Sequence, residues 1–173
     1  MAGHTETVTP TSASDATSHE AASWPVWAPL GLTALLLALG MGVWELWPPG
    51  VWHDDGVYVL LGRALAGGEG LRYVGVVGEP LAGKFPPLYP LVLAAVWLLA
   101  PGFPENAVLL NGVNILFLAL AGGAFAIFLV RGLGLPRSLA FGVTLLAWLS
   151  PHLWRVALVP MSEPLFLFTL ILG

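Results

Sequence analysis

"NAVLLNGVNILFLALAGGAFAIFLVR", residues 106–131, decides the fold. It carries no charge before Arg131, and it exceeds the roughly 20 apolar residues that a helix needs to cross hydrocarbon. Its amide side chains, Asn106, Asn111 and Asn114, make one end polar. Such a segment reads as a membrane-spanning helix, and the composition around it agrees. The chain of 173 residues is 57% hydrophobic and only 9% charged, against about 25% charged in a soluble domain. Its mean hydropathy is +0.85. The fold class expected is all-α, a polytopic transmembrane helical protein. The net charge of -4 comes with no basic cluster, which argues against nucleic acid as a partner. Cysteine is absent, so thiol catalysis, cysteine metal ligation and disulfides are excluded within these residues.

Toward the N-terminus, residues 27–47 form a second candidate span, about 31 Å long as a helix. Trp24, Trp27, Trp44, Trp47 and Trp52 cluster at its two ends, as indole rings do at headgroup level. Pro48, Pro49 and Gly50 are expected to stop it. Residues 1–26, rich in Ser, Thr and Ala, bury too little to offset ordering entropy and are expected to be a disordered tail. No Lys or Arg precedes Arg63, so the basic start of a secretory signal is missing. Toward the C-terminus, Arg131 and Arg137 bracket a Gly/Pro turn, and a further helix is expected over 138–154. "MSEPLFLFTLILG", residues 161–173, then opens a helix from about 162 whose apolar run stops well short of a full span. The expectation is the N-terminal part of a larger protein. No internal repeat is evident.

Residues 48–105 lie between the first two spans. Val57, Leu60, Leu61, Ala64 and Leu65 recur at helical spacing until Gly67 and Gly68, which predicts a short amphipathic helix lying in the interface. Turns and a short strand are expected before "KFPPLYP", residues 84–90. Residues 88–100, "LYPLVLAAVWLLA", are apolar but only 13 long, more in keeping with a re-entrant segment than a span. Orientation turns on them. If they span, Arg63, Arg72, Lys84, Arg131 and Arg137 share one side, and the positive-inside rule puts that side in the cytoplasm. If they are re-entrant, 48–105 is one large extracytoplasmic loop and Arg131 and Arg137 lie opposite. The count of basic residues favours the first arrangement, the shortness of 88–100 the second.

Three clusters carry chemistry. Asp54 and Asp55 stand at the start of the Val57 helix. A single Asp suffices to cap it and to complement its dipole; two adjacent carboxylates also fit a general base or a cation site at the membrane surface. Lys84 precedes Pro86 and Pro87, where it either snorkels to headgroups or pairs with a phosphate. Glu163 follows Ser162 at the start of the last helix, an ordinary start signal but also an acid at the edge of a span. His53 and His152 lack metal-ligand spacing, and Arg155 reads most simply as an interfacial anchor.

Taken in order, "DDGVY" (54–58), "KFPPLYP" (84–90), a span ending in Arg131, a helix ending "LSP" and "SEPLF" resemble the polyprenyl-phosphate-sugar-dependent glycosyltransferases of the GT-C superfamily. That group includes relatives of protein O-mannosyltransferases and aminoarabinose transferases. The resemblance covers about residues 28 to 173. "DDGVY" follows the family's D-E-x-x-Y pattern with Asp for Glu, and Phe85 intrudes into its K-P-P pattern. The resemblance implies a cell-membrane enzyme whose first large loop is extracytoplasmic. Its donor is a sugar on a polyprenyl phosphate, and its acceptor is a hydroxyl of a lipid, protein or glycan. It assigns Asp54 as base, Asp55 and Glu163 to the acceptor or a cation, Lys84 to the donor phosphate and Tyr58 to support of the acids. No cofactor is fixed, and a divalent metal ion stays open. The main alternative is a multispan transporter or lipid-linked-glycan flippase that couples ions through the same acids.

Overall fold

The computed structural model describes residue 25, residues 27–43 and residues 47–173. Among the described residues seven helices follow one another: α1 (Trp27–Gly42), α2 (Asp54–Ala66), α3 (Leu88–Leu99), α4 (Ala107–Arg131), α5 (Arg137–Trp148), α6 (Pro151–Ala157) and α7 (Glu163–Leu172). The described residues are all-helical, and where a short strand was expected there is one isolated antiparallel bridge, Arg72 to Leu81. Among them α4 alone is long and apolar enough to cross a membrane; α1, α3, α5 and α7 are apolar but shorter. The expected tail falls almost wholly outside the described residues.

Helix α4 is the axis of the molecule. Helix α1 runs antiparallel to it, and glycines bring the two backbones together. A Cβ on Gly123 would strike Thr33, one on Gly122 would strike Leu36, and one on Gly40 would strike Ile115. The helix expected over 27–47 closes at Gly42, ahead of Pro48 and Pro49; residues 44–46 lie outside the described part. Helix α5 folds back on α4, with the Trp148 indole donating to the Leu118 carbonyl at 3.0 Å. The single helix expected over 138–154 is two. Ser150 is extended and Pro151 starts α6, because proline has no N–H to continue α5 but suits a first turn. The Trp154 indole spans the break to the Trp148 carbonyl at 2.7 Å.

Residues 48–105 leave and rejoin the bundle at one end. Helix α2 starts at Asp54, three residues before the expected stripe, and buries Tyr58, Leu61, Gly62 and Ala64 while Leu60 stays exposed. That face is chosen by α3, which runs beside α2 in the same direction. A Cβ on Gly62 would lie 2.7 Å from Leu93 Cβ, and the Trp97 indole donates to the Val59 carbonyl at 3.1 Å. Helix α3 in turn lies antiparallel to the first turns of α4.

The asparagines of α4 explain why one end of an apolar helix is polar. A buried amide is costly unless bonded, and each here ties down a different returning segment. Asn106 donates to the Ala100 carbonyl at 2.8 Å, and Asn111 to that of Trp47 at 3.2 Å. Asn114 donates to the carbonyls of Val159 and Met161 and accepts the Tyr89 hydroxyl at 2.7 Å. The end of α1, the α2–α3 pair and the approach to α7 are thereby gathered around the start of α4. Two apolar clusters result: one of α1, α4 and α5, the other of α2, α3, Leu110 and Leu165.

Candidate functional site

The adjacent acids of "DDGVY" do different things. Asp55 is fully buried. Its Oδ2 accepts from the Gly50 amide at 2.7 Å and its Oδ1 from the Trp52 amide at 3.1 Å. It therefore reaches back to close the turn before α2 rather than capping α2's own amides, and that turn carries His53 at φ +66°. A non-glycine residue in this region is disfavoured, and the two Asp55 bonds hold the turn around it. The Asp54 side chain is 41% exposed, with the His53 ring nitrogen 3.4 Å from its Oδ1. Neither acid makes a side-chain cap bond to α2.

Tyr58, one turn along, joins this corner to the far end of the chain. Its hydroxyl donates to Ser162 Oγ at 3.0 Å, and its ring meets Phe85 and Tyr89 edge-on, each with centroids 5.0 Å away. Ser162 is followed by Glu163, the exposed first residue of α7. Burial raises the Tyr58 hydroxyl above the usual tyrosine value of 10.0, the Ser162 bond offsets part of this, and the charges of Glu163 and then Asp54 push it higher. Both carboxylates thus lie close enough to act on one phenol, and the phenol stays protonated near neutrality. Lys84 is exposed, with its ammonium 5.2 Å from the centre of the Phe85 ring, on the rim of the same aromatic group.

The structure therefore brings Asp54, Tyr58 and Glu163 to one corner, places Lys84 at its aromatic rim, and withdraws Asp55 into the fold. Ser162, read from sequence only as a helix cap, is the partner of Tyr58. Tyr89 and Asn114 carry the strap of residues 159–161 to this corner, and nothing in the local sequence marks either as a site residue. The Tyr58–Ser162 pair is separated by 104 positions, and no local pattern encodes it. Among the described residues no three His, Cys, Asp or Glu side chains gather where they could hold a metal ion.

A cavity of about 630 Å³ lies among Trp47, Trp52, Trp154, Arg155 and Val159, and none of its described walls is a residue of this corner. Its described walls are apolar and aromatic, and among the described lining residues Arg155 is the one that carries a charge. No protein-family profile, no curated protein and no solved structure matches this chain.

Proposed function

We propose that the chain is a multi-pass membrane glycosyltransferase that moves a sugar from a polyprenyl-phosphate donor to an acceptor hydroxyl at the extracytoplasmic face. The observation that carries this reading is the corner itself: an accessible carboxylate, Asp54, and a second, Glu163, converge on Tyr58 from segments over a hundred positions apart. A general base must be reachable by the group it deprotonates, and Asp54 is. Asp54 takes the proton of the acceptor hydroxyl. The acceptor oxygen bonds to the anomeric carbon, and the carbon–oxygen bond to the phosphate breaks, its electron pair leaving on the phosphate with inversion at carbon. Glu163 orients the acceptor. Tyr58, through Ser162, fixes the distance between the acids, and Asp55 holds the turn that presents Asp54. Lys84 draws the phosphate toward this corner, since charge developing on a leaving oxygen needs a nearby cation.

Two features of the fold support this topology and chemistry over the rivals. Residues 48–105 begin and end at the same end of α4, which favours a re-entrant α3 and one large loop. The acids, Lys84 and Arg155 all sit at that end, whereas ion coupling in a transporter favours ionisable groups near the bilayer centre. No ionisable residue lies between Ala107 and Val130.

The test is transfer by the full-length protein from radiolabelled lipid-linked sugars. Asp54→Asn should lower the rate about 100-fold or more, the contribution of a positioned base, with the donor still bound. Transfer at the unaltered rate removes Asp54 from this role.

A further inference from the structure

Phe85 is the residue that intrudes into the K-P-P pattern, and the proposed mechanism gives it no task. Its chain context turns it inward. A residue before proline is kept out of the helical region and held extended, and along extended backbone successive side chains point to opposite sides. With Pro86 next, Phe85 goes in and Lys84 stays out: the one is buried, the other exposed. The buried ring is held from two elements. Tyr58 of α2 meets it edge-on with centroids 5.0 Å apart, and Tyr73, beside the Arg72–Leu81 bridge, does so at 6.4 Å. Perpendicular contacts of this kind are favourable pairings for aromatic rings. Phe85 is therefore a member of the packed cluster of α2 and α3, not a loop side chain free to follow its neighbour.

Lys84 is the reverse case. It is the only lysine in the 173 residues, and among the described residues it has no hydrogen bond or ion pair. What it has is the Phe85 ring, with the ammonium 5.2 Å from the centroid, inside the roughly 6 Å at which a ring attracts a cation. A lysine head on its long flexible stem otherwise sweeps a wide volume.

We infer that Phe85 is a positioning residue: its ring holds the Lys84 ammonium at the rim of the acidic corner, ready for an anionic oxygen. The inference rests on the proposed transferase reading for the anion and deepens it by naming what places the cation. Ordering the ammonium beforehand removes a cost that binding would otherwise carry. The same ring touches Tyr58, whose hydroxyl is tied to Ser162 at 3.0 Å, so the cation and the acids are set by one aromatic unit. The extra residue between Lys84 and Pro86 thus supplies the surface on which the lysine rests.

The experiment replaces Phe85 in the full-length protein with phenylalanines bearing one, two or three ring fluorines, which keep the shape of the ring and drain its negative face. In nanodiscs, lysines are dimethylated with carbon-13 formaldehyde, and the Lys84 signal is assigned by its loss in Lys84→Arg. The ring current should place this methyl resonance upfield of its position in Phe85→Leu. The displacement should shrink with each fluorine, which a ring acting only as packing would not produce. Transfer from the lipid-linked sugar, measured on unmethylated protein, should follow. Its kcat/KM should fall about 2- to 5-fold at three fluorines, the weight of an exposed cation–π contact, and should not respond to fluorine in Lys84→Gln. The same resonance in the parent and in Phe85→Leu, or a displacement that fluorine leaves alone, would overturn the inference. So would transfer that ignores fluorine, or that responds to it equally in Lys84→Gln. The resonance needs no sugar, so a fluorine-dependent displacement in a protein without transfer sinks the enzyme reading and leaves the placement of Lys84 standing.

Discussion

Replacing Asp55 should cost the fold, and replacing Asp54 should not. The Asp55 carboxylate is wholly buried and accepts two amides, from Gly50 at 2.7 Å and Trp52 at 3.1 Å. Bonds to a charged group contribute about 1.5–3 kcal/mol each. Both donors are only partly buried, so water can reach them once the carboxylate is gone, and the low end of that range applies. Asp55→Ala should therefore lose about 3 kcal/mol, two bonds at the low end, a factor of roughly 150 in the unfolding equilibrium. Asp55→Asn keeps one acceptor oxygen but turns an NH2 group toward the other amide, and should lose about half as much. Asp54→Asn changes a side chain that is 41% exposed and should stay within about 0.5 kcal/mol of the parent protein.

Reversible unfolding of the full chain in mixed micelles, titrated with a denaturing detergent and followed by helical circular dichroism, measures all three variants. The reasoning fails if Asp55→Ala unfolds with the parent, or if Asp54→Asn is destabilised as much as Asp55→Ala. Either result would mean that the division of labour between the two acids is wrong.

The remaining predictions probe the same corner and its surroundings. The Tyr58 hydroxyl has its value raised in the fold, so its contribution to stability is whole below the ordinary tyrosine value of 10.0 and is lost as pH climbs through the raised value. A phenolate absorbance titration, subtracting Tyr58→Phe from the parent, should give a midpoint above 10.0; one at or below it would contradict the burial. Asn114→Ala strips partners from Tyr89, Val159 and Met161 and should cost about 3 kcal/mol, near 1 kcal/mol for each bond. Because it frees the strap before Ser162, it should also slow sugar transfer at protein levels where folding is complete. For topology, Val77→Cys and Leu133→Cys occupy exposed positions in a chain without other cysteines. The proposed orientation has an impermeant thiol reagent label the first from outside the cell and not the second, and the reverse pattern would defeat it.

Much of the helical layout follows from local sequence. Helix α4 was expected over 106–130 and found as Ala107–Arg131, because an uninterrupted apolar run has few alternatives to a helix. The short length of α3 and the end of α2 near Gly67 were equally local. The misjudged boundaries share a cause. The hydrophobic pattern continues across Ser150–Pro151 and hides the break there, although Pro151 removes the amide that α5 would need. Periodicity puts Leu60 on the apolar stripe of α2, yet Leu60 is exposed and the buried face adds Tyr58 and Gly62 to Leu61 and Ala64, because α3 can approach only where Gly62 leaves room for Leu93. Partner choice of this kind is absent from periodicity.

The site shows the same limit, with one exception that the sequence did contain. Ser162 and Asn114 belong to it through contacts between distant segments, and nothing nearby marks them. The acidic pair is different. Successive residues on a helix point about 100° apart and do not share a face. Two adjacent acids at the first turn of a helix packed on one side cannot both face the packed side or both face the open corner. One turns inward and finds backbone amides, and the other remains available. Which is which depends on where the preceding turn lies, and Gly50, whose φ of +104° favours glycine, brings its amide back to Asp55. Had the chain reached α2 by a straighter path, Asp55 would be a buried charge without donors, which the interior does not tolerate. The turn and the inward acid therefore require each other, and Asp54 is the carboxylate they leave free for chemistry.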